Sequence, residues 1–164
     1  MKFRKFLIIK TFFILIFSQL LFNISKANAA EEIKIIYSIF SRTVKVNSLK
    51  TFAIEGNSTK KLKRLLKATG SPDEEIRAVL NKDFEIPITI ASKLVYSEIG
   101  NVFLTRLSSI VHPPRADDQR TGMLALRASV IKGIIIGNGK INIINFFEAY
   151  PTKTVILDVN ALSK

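Results

Sequence analysis

The residues able to do chemistry are few. The chain has no Cys and a single His, His112, so disulfides and thiolate nucleophiles are excluded, as is a zinc site built on several imidazoles or thiolates. Any imidazole base catalysis would have to run through His112. It stands in the nearly apolar-free stretch HPPRADDQR, residues 112–120, beside Asp117 and Asp118. A triad would need a serine within hydrogen-bond reach, and the G-x-S-x-G turn that exposes a nucleophilic serine between strand and helix does not occur in the sequence. Two adjacent carboxylates alone make a poor cage for a hard cation. No catalytic residue, metal ligand or cofactor is therefore expected.

Binding chemistry is better represented. Lys60, Lys61, Lys63, Arg64 and Lys67 surround a segment whose Leu62, Leu65 and Leu66 share one side. Such a helix either turns its leucines to the core and its cations to water, or lies on an anionic lipid surface with the leucines inserted. Arg127 is the other residue with a binding or structural role to assign, because Met123, Leu124, Val130, Ile131 and Ile134 surround it at helical spacing. A charge on an apolar stripe is costly unless paired. It should find several carbonyls or a carboxylate, with Glu98 and Glu148 as candidates; an anionic ligand is the competing reading. Asn57-Ser58-Thr59 is both an N-x-T sequon and a helix-start signal. Phe146, Phe147 and Tyr150 read as core.

Residues 1–29 have the form of a secretory leader. Lys2, Arg4 and Lys5 start it, an apolar stretch runs to Ile24, and Ala27-Asn28-Ala29 supplies a cleavage site. Cleavage after Ala29 leaves one exported domain, residues 30–164. An uncleaved membrane anchor is the alternative, since Phe6 to Ile24 approaches the length of a span, although Lys10, Gln19 and Asn23 interrupt it. The leader carries Lys2, Arg4, Lys5, Lys10 and Lys26 and no acidic residue, so its loss lowers the formal charge from +12 to +7. Export disfavours nucleic acid as a partner.

The elements that must position these groups follow from hydrophobic period. Ile33 to Val46 is rich in Ile, Val, Tyr and Phe and reads as a β-hairpin interrupted at Ser41-Arg42-Thr43. Helical spacing then sets in from Ser48 to a cap at Gly56, again from Thr59 to Thr69 with a stop at Gly70. A third helix opens at Ser71-Pro72-Asp73-Glu74, with Ser71 as cap and Glu74 in a capping box, and has Ile76, Val79 and Leu80 on its core side. Ile88 to Val95 is a short helix or an irregular run. After Ser97, the residues Ile99, Val102, Phe103, Leu107, Ile110 and Val111 form one helical stripe stopped by Pro113-Pro114, which puts His112 at a helix end. Thr121 to Ile136 and Ile141 to Tyr150 are the last helices, and Thr154 to Val159 alternates like a final strand. The fold class is α+β: a predominantly helical domain with a small sheet in which the last strand joins the opening hairpin.

The stretches EEIKIIYSIFSRTVKVNSLKTFAIEGN, KLVYSEIGNVFLTRL, GMLALRASVI and INIINFFEAYPTKTVILDV, in that order, cover nearly all of residues 30–160. In them the chain resembles the domain of unknown function found ahead of the catalytic region of cyanobacterial α/β-hydrolases, a family itself labelled alpha/beta hydrolase of unknown function. The resemblance implies an exported domain, here stand-alone, in a periplasm, thylakoid lumen or extracellular space, whose partner is an α/β-hydrolase, another copy or an envelope protein. The resulting expectation is an accessory or binding domain without catalysis of its own. The alternative is an anionic-lipid module using the basic helix 59–69, and a minimal hydrolase is the third.

Overall fold

β1 (Glu32–Tyr37) and β2 (Phe40–Lys45) form the opening hairpin, antiparallel from Glu32 opposite Lys45 to Tyr37 opposite Phe40. In the computed structural model, which describes residues 29–115 and 118–163, the turn falls at Ser38-Ile39 and not at Ser41-Arg42-Thr43. Ser38 takes a positive φ of 53°, as tight hairpin turns require, and its N–H donates to the Asn160 side chain at 2.6 Å. A contact from the far end of the chain thus sets a turn that local composition placed elsewhere. The leader, except Ala29, lies outside the described residues, as does Asp117.

The helices follow from the punctuation. α1 (Val46–Glu55) ends at Gly56 and α2 (Lys60–Thr69) at Gly70, both glycines at positive φ, the conformation that costs glycine nothing. α3 spans Asp73–Leu80. Its cap position is held by Pro72 and not Ser71, so no side chain caps it and no capping box forms; Asp73, Glu74 and Glu75 in the first turn serve the positive end of the helix. Leu80 is buried and Ile76 half-buried, but Val79 points to solvent. The carbonyls at the end of α1 are instead taken by α3: Arg77 donates to Ala53 and Ile54 at 3.2 and 3.0 Å, and Asn81 to Ala53 at 2.7 Å.

After β3 (Phe84–Glu85) come α4 (Ile88–Val95) and α5 (Glu98–Leu107), then β4 (Val111–His112). α6 (Gln119–Ile136) is the longest helix, followed by β5 (Lys140–Ile141), α7 (Ile143–Glu148) and β6 (Thr154–Asp158), with a 3-10 turn, Val159–Ser163, at the end. The main sheet has the order β2-β1-β6-β4, with β6 parallel to β1 and antiparallel to β4. The last strand does join the hairpin, and the domain is α+β. β4 was not legible, because Val111 and His112 continue the apolar run of the preceding helix. In the structure α5 stops at Leu107, and the Asp158 N–H donates to the Ile110 carbonyl at 2.7 Å, drawing the segment onto the sheet. Similarly, Ile141 pairs with Phe84 in a second, two-stranded sheet, and the Asn142 side chain caps α7 by accepting from the Asn145 N–H.

α6 lies against the sheet and touches α4, α5 and α7. Its Leu126 and Ile134 are buried, and Ser129 donates through Oγ to the Phe146 carbonyl of α7. Tyr150 is 0% exposed and its ring meets Phe146 edge-on at 6.1 Å. Among the described residues its hydroxyl is the one buried side-chain polar atom without a hydrogen-bond partner. Burial alone drives its pKa far above the ordinary phenol value. A folded pKa raised above the unfolded one means that stability is lost as pH rises past the unfolded value of about 10, where the unfolded chain sheds the proton first. Tyr150→Phe removes an unsatisfied hydroxyl and is expected to stabilise the domain by about 1 kcal/mol at neutral pH. Its advantage over the parent should widen above pH 10, by up to about 1.4 kcal/mol per pH unit. Thermal melts across that range check it, and a destabilised variant would place a partner on the hydroxyl.

Candidate functional site

α4 and α5 form a helical hairpin, closed at Tyr96-Ser97. Ser97 works twice in the corner: its Oγ donates to the Leu94 carbonyl at 2.7 Å and accepts the Gly100 N–H at 3.0 Å, capping α5. The approach is close enough that a Cβ on Gly100 would stand 2.0 Å from the Leu94 oxygen. Gly100 therefore faces inward, and with it Leu104 and, partly, Leu107.

That rotation corrects the expected stripe. Ile99, Val102 and Phe103 are not core residues; they are exposed, Ile99 by 79% and Phe103 by 63%. The apolar residues of this helix spread over an arc wider than one core-facing stripe, from Val102 round to Leu104, so period alone cannot choose which part of it is buried, and a glycine that reads as a neutral position decides it. Leu94 and Tyr96 at the corner are also exposed. On α5, Ile99, Val102, Phe103 and Arg106 recur at three- and four-residue steps, which puts them on one outer face.

Arg127, on α6, holds this hairpin from beneath. It is 8% exposed. Its Nε donates to the Val95 carbonyl at 2.9 Å and its Nη2 to the Asn101 side chain; the guanidinium carbon lies 4.5 Å from the Tyr96 ring centroid. Val95 closes α4, so its carbonyl lacks an intrahelical partner and faces the negative end of the helix dipole, where a cation is favoured. The expected carboxylates are not there. Glu148 pairs with Lys50 of α1 at 2.8 Å, and no ion pair to Arg127 occurs among the described residues. Asn101 and Tyr96 had no distinguishing signal in the sequence beyond lying near the corner.

The cations of α2 are placed as the amphipathic pattern implies. Lys60, Lys61, Lys63, Arg64 and Lys67 are all exposed, while Leu62 is 1% exposed, Leu66 is buried and Leu65 half-buried. Leu62 and Leu66 are core residues, and Leu65 packs against the same cluster. Thr59 caps this helix by accepting from the Leu62 N–H, which accounts for the helix-start reading of the sequon.

His112 lies in a strand, not at a helix end. Its Nδ1 is 2.9 Å from the Pro113 carbonyl, so that nitrogen is the donor. Ser108 is its neighbour across Gly122, where an added Cβ would meet the two side chains at 2.8 and 3.5 Å, a serine–histidine proximity invisible in the sequence. The Ser108 hydroxyl nevertheless donates to the Thr105 carbonyl at 2.6 Å. Asp118 caps α6, accepting from the Thr121 N–H at 2.7 Å; that backbone bond, the Thr121 hydroxyl and the Arg120 charge hold its carboxyl below the usual range. Among the described residues no three His, Asp or Glu side chains gather as metal ligands, and no helix is long and apolar enough to cross a membrane.

Residues 29–158 match a family model described as alpha/beta hydrolase of unknown function. No curated protein and no solved structure matches the chain.

Proposed function

Because the chain belongs to the family of alpha/beta hydrolases of unknown function, we propose that it is an exported accessory domain, itself noncatalytic, that seats the outer face of its α4–α5 hairpin on an α/β-hydrolase catalytic region. The observation that carries this is the exposure of Leu94, Tyr96, Ile99, Val102 and Phe103 on one rigid corner. Exposed large apolar side chains gathered at one place mark interaction surfaces, and removing that apolar area from water favours association. The noncatalytic part rests on the hydrogen bonds that engage Ser108 and Asp118 elsewhere and on the missing nucleophile turn.

The test uses the protein as its cell produces it and the purified hydrolases exported by the same cell. A complex is expected by analytical ultracentrifugation, weakened at least tenfold by Ile99→Glu with Phe103→Glu. Association that ignores those substitutions, or no association with any such hydrolase, overturns the reading. The second reading, contact with an anionic membrane through Lys60, Lys61, Lys63, Arg64 and Lys67, is supported by charge alone, since Leu62 and Leu66 are buried. Flotation with anionic vesicles, repeated after reversing Lys60, Lys61 and Lys63 to Glu, separates the two; binding unchanged by the reversal excludes the basic helix.

A further inference from the structure

β2 is an edge strand, and among the described residues its outer edge is open. Ile33 stands opposite Val44, Ile35 opposite Arg42 and Tyr37 opposite Phe40, and the Val46 N–H donates to the Glu31 carbonyl at 2.9 Å. Those two facts fix the alternation of the ladder: Phe40, Arg42 and Val44 turn their peptide groups toward β1, and Ser41, Thr43 and Lys45 turn theirs outward. No strand pairs with β2 on that side among the described residues, and the N–H groups of Ser41 and Thr43 make no backbone hydrogen bond there.

A groove of about 420 Å³ lies at this edge, between β2 and the start of α2. Thr43, Lys45, Ser48, Lys60 and Lys61 line it, with Glu32 its one carboxylate. None of the three lysines is in an ion pair with a described residue, and Arg42 adds an exposed cation on the strand itself. The edge therefore offers two kinds of complementarity in one place, unpaired strand donors and acceptors beside a concentration of positive charge.

The charges choose the occupant. Basic residues on an edge oppose pairing with a like edge, and a second copy would bring its own Arg42 and Lys45 against these. A basic segment would be repelled in the same way. An extended acidic segment satisfies the backbone groups and the cations together.

We propose that the β2 edge and its lysine-lined groove bind an extended acidic peptide segment, which adds to the main sheet as a strand outside β2 with its carboxylates toward Lys45, Lys60 and Lys61. This surface is separate from the α4–α5 corner and does not depend on the hydrolase reading. Ile99→Glu with Phe103→Glu leaves it unchanged, so failure of one proposal is distinguishable from failure of the other.

The probe is a short fluorescein-labelled peptide in which Glu alternates with Val and Thr, followed by fluorescence anisotropy with the protein as its cell produces it. Backbone N-methylation of the alternate residues that face β2 should weaken binding at least tenfold, and methylation of the other set should leave it intact. Lys60→Glu with Lys61→Glu should also weaken it at least tenfold, with the fold unchanged by circular dichroism because both side chains are exposed. Replacing Glu by Lys in the peptide should abolish binding. Equal affinity of both N-methylated peptides would reduce the interaction to nonspecific charge and overturn strand addition, as would no binding of the acidic peptide. Displacement of bound peptide by phosphatidylglycerol vesicles at low lipid would make the surface a lipid site and equally overturn the proposal.

Discussion

Gly100→Ala should destabilise the domain by roughly 3 kcal/mol, lowering the melting temperature by about 10 °C for a chain of this size. In an isolated helix the same change would help, because alanine is favoured over glycine by about 1 kcal/mol. The sign is reversed by one contact: the new Cβ would stand 2.0 Å from the Leu94 oxygen and 3.1 Å from the Val95 Cα, both backbone atoms that no rotamer change can move aside. To admit a methyl group the two helices must separate at their closest point. That pulls the Ser97 hydroxyl away from either the Leu94 carbonyl or the Gly100 N–H, which it now bridges. Gly70→Ala supplies the control, since Gly70 has a positive φ but nothing within 4 Å of an added Cβ; strain without a clash should cost only about 1–2 kcal/mol. If Gly100→Ala melts with the parent, the corner is looser than described, and the proposed docking face loses its support.

The residues differ in how far the sequence exposes their roles, and the reason is physical. Punctuation by Gly56, Gly70 and Ser97 acts through the backbone of its own neighbourhood, so the ends of α1 and α2 and the start of α5 could be read directly. That the last strand joins the hairpin follows from two alternating segments that have few other places to bury Ile33 and Val155; that it lies parallel to β1 was not legible, because alternation is the same for either direction. The buried side of a helix whose apolar arc is wider than its contact cannot be read from period; α5 is the case, since Ile99, Val102 and Phe103 share that arc with the buried Leu104 and only the close approach at Gly100 separates them. The Ser38-Ile39 turn and the two residues of β4 depend on Asn160 and Asp158, more than forty residues away in the chain. Arg127 was legible as a buried cation needing partners. Which partners was not, since backbone carbonyls are present at every residue and leave no mark in composition. Arg77 repeats the arrangement, with Nε and Nη2 on the last-turn carbonyls of α1, and in both places one helix completes the open end of another.

Arg127→Met should lower stability by about 2 kcal/mol at neutral pH. Hydrogen bonds from a charged donor contribute about 1.5–3 kcal/mol each, and Arg127 makes such bonds to Val95 and Asn101. The ring contact with Tyr96 adds about 0.5–1 kcal/mol at an exposed site. Against these stands the cost of burying a guanidinium with no described carboxylate beside it, which methionine removes. The loss should be local. Val95 is the last residue of α4, and without Arg127 its carbonyl faces an apolar thioether, so hydrogen exchange should accelerate through the end of α4 and the start of α5. The amides of α1 and α2, which Arg77 and Thr59 secure independently, should keep their protection. Arg127→Lys provides the intermediate case: an ammonium can reach one acceptor but cannot present the planar fork that spans Val95 and Asn101 while lying over Tyr96. Its stability should fall between parent and methionine variant. Because the exposed Ile99 and Phe103 are carried by the hairpin that Arg127 anchors, the methionine variant should also weaken the hydrolase association proposed above while leaving the β2 edge untouched. Uniform acceleration of exchange across all helices would instead make Arg127 part of the global core, with no special hold on the corner.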